Sequence, residues 1–397
     1  MSLKENKDRL WNAGYIKVMT ANFTLYFAFY ILSPLLPIYL SERFGASKDT
    51  IGIILSGYTL AALIIRPFSG YVVDTFNRKR FLMCCIFLFF LCFAGYIAAG
   101  TLLMFAIFRT LHGAPFGAFT VANTTAAIDV LPSSRRNEGL GYYGLSNNLG
   151  MAIAPSIGIY IYKILNDFSY IFWIALAVAG IGVLILSTLK LPYRESIPDK
   201  KKLSFDRFFL TRAWLMAINI GLFGFGFGTI SNFLAIYSKQ ELNITSGTGT
   251  YFMLLSMGLF VSRLQGGKAL RRGEITHNAS EGMLISLVGY ILFVAWAHPI
   301  GYYLSAILIG LGNGHLYPAF LNMFNKVARH DERGTANSSI LTGWDCGFGL
   351  GILIGGITAE FWGYTAAFWV VAFVNASGVL LYFLQTKRFY LARRLDD

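Results

Sequence analysis

Long apolar runs recur along the whole of this chain and constrain its fold more than any other feature. Most of them reach the roughly 20 residues that a helix needs to cross the hydrocarbon of a bilayer. Only 13% of the residues are charged and 55% are hydrophobic, whereas about 25% are charged in an average soluble protein. The sequence therefore predicts an all-α integral membrane protein whose surface faces lipid.

The apolar runs fall into two sets of six, separated by one polar stretch near the middle of the chain. The predicted spans are 22–40, 51–73, 81–99, 102–130, 140–164 and 170–189, followed by 210–237, 250–270, 282–297, 302–324, 337–361 and 366–384. This division predicts an N-terminal six-helix bundle over 1–191, a cytoplasmic linker over 192–208 and a C-terminal six-helix bundle over 209–397.

Basic residues are concentrated on one side of these spans. The chain has 33 Lys and Arg and a net charge of +13, and most of the basic residues lie in the termini and in the connections that share their side. Cytoplasmic segments carry such an excess. We therefore expect a multi-pass protein of the cell inner (plasma) membrane with both termini in the cytoplasm. Because the charges lie in short clusters between apolar runs, we do not expect nucleic acid as a partner.

The two halves are related by an internal repeat. A shift of 197 residues aligns Asn22 with Asn219, Arg66 with Arg263, Gly70 with Gly267, Gly113 with Gly310, Gly117 with Gly314, Ala122 with Ala319, Gly150 with Gly347 and Gly158 with Gly355. Duplicated six-helix halves are typical of secondary transporters, in which one half rocks against the other around a central site. The repeat therefore indicates transport.

The chain lacks the motifs of several enzyme classes. It contains no P-loop, no His-Glu-x-x-His metal motif and no Gly-x-Ser-x-Gly elbow. The four cysteines lie in apolar runs without His or carboxylates at metal-ligand spacing. We expect no enzymatic activity, no metal and no cofactor, so that an ion gradient, taken to be that of protons, would supply the energy.

The connection between the second and third spans carries a distinctive motif. Arg66 precedes Gly70, Asp74 follows, and Asn77 leads into a basic triplet that begins at Arg78. This resembles the loop signature of the major facilitator superfamily, although glycine is usual where Asn77 stands. The resemblance implies that Arg66, Gly70, Asp74 and Arg78 form a conformational latch, with Gly70 allowing close helix contact. A basic loop that only orients the helices is the alternative.

Ionisable residues inside two spans are candidates for proton coupling. The fourth span carries Arg109 and His112 followed by Gly113, which resembles the superfamily's fourth-helix motif and implies proton coupling by Arg109. The eleventh span carries Asp345, and an uncompensated carboxylate there would be costly. Arg109 could instead reach the interface, and Asp345 could form a structural pair with Arg109.

The fifth span resembles the motif of the superfamily's antiporter branch, which exports drugs and metabolites. Its small or bending residues are Gly150, Ala154, Pro155 and Gly158, with Ala154 where glycine is usual. A helix-packing stripe is the alternative explanation.

Polar and aromatic residues on five spans are expected to line a central cavity, in keeping with the resemblance. They are Tyr26 and Tyr30, Asn123, Asn147 and Asn148, Asn219 and Phe223, and His315 and Asn322. For each of them, ordinary helix packing is the alternative.

These features predict the major facilitator fold, with twelve transmembrane helices in two pseudo-symmetric bundles. The expected function is proton-coupled antiport, exporting small amphipathic molecules or metabolites by alternating access. A proton-coupled importer of a small polar metabolite such as a sugar or organic acid is the alternative, and a lipid or lysolipid translocase is another. The expected partners are a small-molecule substrate, protons and the lipid bilayer, and the expected state is a monomer.

Overall fold

The structure is a computed structural model that describes residues 9–132, 135–191, 209–244, 247–271, 274–329 and 333–395. The predicted linker 192–208 lies outside these ranges. The described residues form helices joined by short connections, so the predicted all-α class is confirmed. We call the side of the bundle that holds the chain ends the terminal face, and the opposite side the distal face.

The first half contains seven helices that make six spans. They are α1 (Ala13–Tyr30), α2 (Leu36–Phe44), α3 (Lys48–Thr75), α4 (Arg78–Ala98), α5 (Leu102–Val130), α6 (Arg136–Leu165) and α7 (Phe168–Ser187). The first span is divided between α1 and α2 by a turn, and Pro37 lies near the start of α2. Asn77, the residue that departs from the family loop, is the N-cap of α4 and accepts from the backbone N–H of Arg80.

The second half repeats this plan. It contains α8 (Trp214–Gln240), α9 (Thr248–Arg271), α10 (Ile275–Ala295), α11 (Pro299–Val327), α12 (Arg333–Leu381) and the short α13 (Lys387–Leu391). Gly363 interrupts α12 with a φ of 84°, so this long helix makes two spans. Among the described residues, nine helices are long and apolar enough to cross a membrane. The bend in α12, the divided first span and α9 bring the number of spans to the twelve that were predicted.

Glycines at equivalent positions of the two halves hold equivalent helices together. A Cβ on Gly113 of α5 would lie well inside 3.0 Å of the carbonyl oxygen of Tyr58, and one on Gly310 would meet that of Leu255 in the same way. Tyr58 and Leu255 are themselves related by the shift of 197 residues. The repeat is therefore a repeat of helix contacts, with α3 against α5 in one half and α9 against α11 in the other.

The two bundles meet along a seam between α3 and α12. Near the distal face, the backbone N–H of Lys48 donates to Glu360 over 2.8 Å, and a Cβ on Gly52 would lie 3.1 Å from the Cα of Gly356. A second seam joins α6 to α9, where the Ser156 hydroxyl donates to the Gly249 carbonyl over 2.7 Å. Further polar contacts between the halves join Ser33 to Asn232 and Lys239 to Glu42, and both lie toward the distal face.

Candidate functional site

An ion pair joins the two bundles inside the membrane-spanning part of the seam. Arg66 of α3 places Nη1 2.6 Å from Oδ2 of Asp345 of α12. The arginine side chain is only 2% exposed, whereas that of the aspartate is 15% exposed. Arg66 lies about two and a half turns from the terminal end of α3, and Asp345 about three turns from that of α12, so the pair lies inside both spans on their terminal side. This corrects one interpretation: Asp345 pairs with Arg66 and not with Arg109. Arg66, predicted as a latch residue, joins α3 to α12 through this pair.

The Arg66 guanidinium keeps unused hydrogen-bonding capacity. Its Nη1 is held by Asp345, whereas its buried Nε has no hydrogen-bond acceptor among the described residues. One turn before Asp345, the Thr342 hydroxyl oxygen is also buried without a partner. Buried polar groups in proteins are nearly always paired. Unpaired donors beside an ion pair therefore mark a place where a ligand or water completes the site.

Two predicted cavity residues of α1 lie beside this pair. The rings of Tyr26 and Tyr30 are stacked with centroids 6.3 Å apart, and both side chains interact electrostatically with Arg66 and Asp345. The ring of Tyr26 also meets that of Phe116 of α5, at 5.6 Å. The ion pair is therefore bordered on the α1 side by aromatic surface.

Arg109 and His112 lie deeper, inside the N-terminal bundle. The Arg109 guanidinium is 4.9 Å from the centroid of the Phe29 ring and 4.6 Å from that of Tyr58. Among the described residues, no carboxylate lies within 4.0 Å of its nitrogens. Arg109 is 1% exposed, which excludes the predicted alternative in which it reaches the interface. The two rings provide cation–π stabilisation in place of a counter-ion.

His112 is enclosed by rings and makes one hydrogen bond. Its Nδ1 lies 2.7 Å from the hydroxyl of Tyr96, and its ring contacts those of Phe89 and Phe93. Its Nε2 has no partner among the described residues. Full burial separates His112 from the seam, so any proton passing through it would need this bundle to open.

Asn123 and Asn147 belong to a hydrogen-bond network inside the N-terminal bundle. Tyr143 donates to the Asn22 side chain over 2.9 Å and receives a hydrogen bond of 3.0 Å from Asn123. Asn22 in turn donates to Ser146 and Asn147. The network joins α1, α5 and α6. This corrects the cavity assignment of Asn123, which is fully buried; the side chain of Asn148 lies outside the described part of the chain.

The predicted cavity residues of the C-terminal bundle also face its interior, with one exception. Asn219 donates to the Gly378 carbonyl over 2.9 Å, Phe223 is fully buried, and His315 Nδ1 lies 2.7 Å from the Asn278 side chain. These three join helices within one bundle, because a polar group in a membrane is most stable when paired internally. Asn322 is exposed, and it donates to the Pro318 carbonyl one turn earlier.

The predicted latch residues are separated in the structure. Arg78 binds both carboxylate oxygens of Asp129 at 2.6 and 2.7 Å, within the N-terminal bundle at its terminal face. Among the described residues, none has an atom within 4 Å of the position that a Cβ on Gly70 would occupy. The close helix contact expected at Gly70 is therefore not made in this conformation. The side chain of Asp74 lies outside the described part of the chain.

The fifth-helix motif packs α6 against the first span. A Cβ on Gly150 would lie 2.9 Å from that of Tyr26, and one on Gly158 would overlap the Ile31 carbonyl. Ala154 and Pro155 between them are buried. This is the arrangement that the packing alternative describes, and it keeps the turn between α1 and α2 close to α6.

Sequence reasoning missed Arg66 as the partner of Asp345, and it missed Thr342. The position of Arg66 could have indicated its role, because it lies more than four turns into an apolar run that begins near Lys48. The family loop signature directed attention to the terminal face instead. Thr342 has no such signal, since a single threonine in a span is ordinary.

Comparison with known proteins supports the architecture. The Staphylopine export protein of Staphylococcus aureus is 23% identical over 332 residues, covering 81% of this chain and 83% of that protein. The uncharacterized MFS-type transporter YqjV of Bacillus subtilis is 25% identical over 235 residues, a match spanning 57% of each chain. A solved structure of a bacterial homolog to the human lysosomal transporter Spinster, inward-facing and occupied, superposes with a TM-score of 0.76 at 14% identity, covering 97% of each chain.

A family-wide comparison covers nearly the whole chain. The family model described as Major Facilitator Superfamily matches residues 18–280 and 277–394. The two matched segments together cover both bundles and the seam with its ion pair. The chain belongs to the Major Facilitator Superfamily of transporters.

Proposed function

We propose that this protein is a proton-coupled antiporter that exports small molecules by alternating access, with Asp345 as the proton acceptor. The ion pair between Asp345 and Arg66 carries the proposal, because it joins the two bundles within their membrane-spanning helices. Protonation of the carboxylate would remove the attraction across the seam. A substrate that binds Asp345 would compete with the proton, and such competition produces exchange.

The distribution of contacts supports a state that is closed at the distal face. The contacts of Lys48, Ser156 and Lys239 with the opposite bundle lie toward the distal face, and Gly70 is next to open space. With cytoplasmic termini, which the basic residues favour, this state would receive substrate from the cytoplasm. Similarity to a Staphylopine export protein also favours export. The proposal requires neither a cofactor nor a second subunit.

Proteoliposomes containing a pH-sensitive dye and an imposed proton gradient test the proposal. We expect addition of a transported compound to dissipate the gradient in the parent protein. The Asp345→Asn variant should reduce this flux by about a hundredfold or more, because a group that transfers the proton contributes about 10²–10⁴-fold in comparable chemistry. Arg109→Gln should leave the flux measurable, since the Arg109 guanidinium packs on the rings of Phe29 and Tyr58 and not on Asp345.

A matched control uses Glu281→Gln, which removes an exposed carboxylate on α10 that faces His277 and lies outside the seam. Unchanged exchange in Asp345→Asn would contradict the assignment of the proton acceptor. If substrate and protons instead enter the vesicle together, so that uptake acidifies the interior, the result would indicate symport and favour the importer.

The open space at Gly70 leads to a separate prediction. Gly70→Leu should leave the unfolding free energy within about 1 kcal/mol of the parent, because its Cβ would have no described atom within 4 Å in this conformation. If α3 and α12 close together at the terminal face in the opposite state, the same side chain should obstruct closure and reduce transport by about tenfold or more, a barrier change of about 1.4 kcal/mol.

Gly100→Leu is the matched control for this prediction. Gly100 also has no atom within 4 Å of a Cβ position, but it lies in the distal connection between α4 and α5. Equal transport by both variants would show that Gly70 stays in open space throughout the cycle.

A further inference from the structure

We propose that the seam site binds a zwitterionic solute, whose carboxylate binds Arg66 and whose ammonium binds Asp345. This inference rests on the proposed function and names the class of substrate. It is built from four features of the site: the unpaired Nε of Arg66, the accessible carboxylate of Asp345, the charge balance between them and the aromatic surface beside them.

Arg66 supplies the anion-binding half. Its side chain is only 2% exposed, and its buried Nε lacks an acceptor among the described residues. A guanidinium presents its N–H donors in a planar fork that matches the two oxygens of a carboxylate. The buried Thr342 hydroxyl adds a further unpaired group on the facing helix. A carboxylate at this position would satisfy donors that the protein leaves unsatisfied.

Asp345 supplies the cation-binding half. Its side chain is more exposed than that of Arg66, and it lies in the α12 wall of the seam, 2.6 Å from the guanidinium. A carboxylate offers about four acceptor positions, and the contact with Arg66 engages one oxygen, so Asp345 can also accept hydrogen bonds from an ammonium. Ligand binding would then replace one ion pair by two.

The charge balance favours a ligand with both charges. A ligand with only a negative charge would be attracted by Arg66 but repelled by Asp345. A ligand with only a positive charge would be attracted by Asp345 but repelled by Arg66. Two unit charges 4 Å apart interact by about 4 kcal/mol at an effective dielectric constant of about 20. A zwitterion obtains attraction from both members of the pair and adds no net charge to the membrane interior.

The side of the pair that faces α1 would receive the apolar part of the solute. The stacked rings of Tyr26 and Tyr30 interact electrostatically with both charged groups, and the ring of Phe116 extends this surface. Rings of this kind accept flat apolar groups by stacking. An amino acid derivative with an aromatic or large apolar side chain fits these three surfaces.

Recognition of this kind would also produce exchange. The charged or titratable groups facing Asp345 are Arg66 and Tyr58 of α3 and Tyr26 and Tyr30 of α1, with Cys346 beside it on α12. Among these, Asp345 is the group that can bind either a proton or an ammonium. The two would therefore exclude each other at one carboxylate, as antiport requires.

Calorimetric titration of the purified full-length protein with matched probes tests the inference. The first set is L-phenylalanine, phenethylamine and 3-phenylpropionate, and the second is L-tryptophan, tryptamine and indole-3-propionate. Within each set the ring is constant. The first compound carries both charges, the second only the positive charge and the third only the negative charge. We expect the zwitterion to bind about tenfold or more tightly than either relative, a difference of about 1.4 kcal/mol.

Variants separate the two halves of the site. Arg66→Gln should remove the advantage of L-tryptophan over tryptamine, and Asp345→Asn should remove its advantage over indole-3-propionate. If the two residues had only a structural role, each substitution would lower the affinity for all three probes together. Equal or tighter binding of a singly charged relative overturns the inference, as does absence of zwitterion binding while another compound still drives proton exchange. In that last case the proposed antiport stands, whereas loss of exchange for every compound would overturn the proposed function itself.

Discussion

Asp345→Asn is expected to destabilise the folded protein more than Arg66→Gln does, and the double variant is expected to recover much of the loss. Removing one partner of a buried ion pair costs about 3–5 kcal/mol, because a charge remains without compensation. In Asp345→Asn that charge is on Arg66, which is almost fully buried and stays protonated in proteins. In Arg66→Gln the remaining carboxylate is partly exposed and can be neutralised by a proton, so the cost is smaller.

Thermal unfolding in detergent micelles, followed by circular dichroism, measures the four members of this cycle. The double variant, Arg66→Gln with Asp345→Asn, leaves two neutral side chains of similar volume and should fold nearly as well as the parent. It should nonetheless fail to dissipate a proton gradient. This combination of recovered stability and lost exchange would assign the pair to coupling. Additive losses would show that the two groups do not interact.

Gly113→Ala and Gly310→Ala are expected to reduce the amount of folded protein strongly and to a similar extent. A methyl group at either position would overlap the backbone carbonyl of the facing helix, and a backbone cannot move aside as a flexible side chain can. Overpacking costs about 1–3 kcal/mol and occasionally more, and we expect the upper end here. The loss should exceed the gain of about 1 kcal/mol that alanine brings to a helix.

Gly180→Ala in α7 is the matched control, since its nearest atom would be a ring carbon of Phe90 at 3.3 Å. It should fold as well as the parent or better. Size-exclusion chromatography of detergent extracts, with equal membrane loads, compares the yields of monodisperse protein. A large loss for Gly113→Ala with none for Gly310→Ala would show that the two halves do not depend on the same contact.

The architecture could be predicted because the features that determine it are visible in the sequence. Apolar runs of sufficient length must be helices in a membrane, since only internal pairing satisfies the backbone there. The shift of 197 residues was visible as matched glycines, and the contacts of Gly113 and Gly310 explain why those residues repeat. The bend at Gly363 that divides α12 also falls between two predicted spans.

The site was harder to predict, because periodicity gives the face of a helix but not its partner. Asp345 was selected from its depth, whereas its pairing with Arg66 depends on the way that two distant helices meet at the seam. Asn123 and His315 have the polarity of cavity residues, but each is used within its own bundle, by Tyr143 and Asn278 respectively. A buried amide that joins helices and one that binds substrate have the same sequence signal.

The distal closure has a consequence for the speed of the molecule. One of its ties is the ion pair of Lys239 with Glu42, whose side chains are 51% and 46% exposed, and the hydrogen bond from Lys48 to Glu360 is also exposed. Exposed pairs of this kind contribute about 0–1 kcal/mol and weaken as salt is added. Thermal motion breaks such contacts readily, so these two contacts stabilise the closed distal face only weakly. The turnover rate should therefore increase with ionic strength when opening of the distal face is the rate-limiting step.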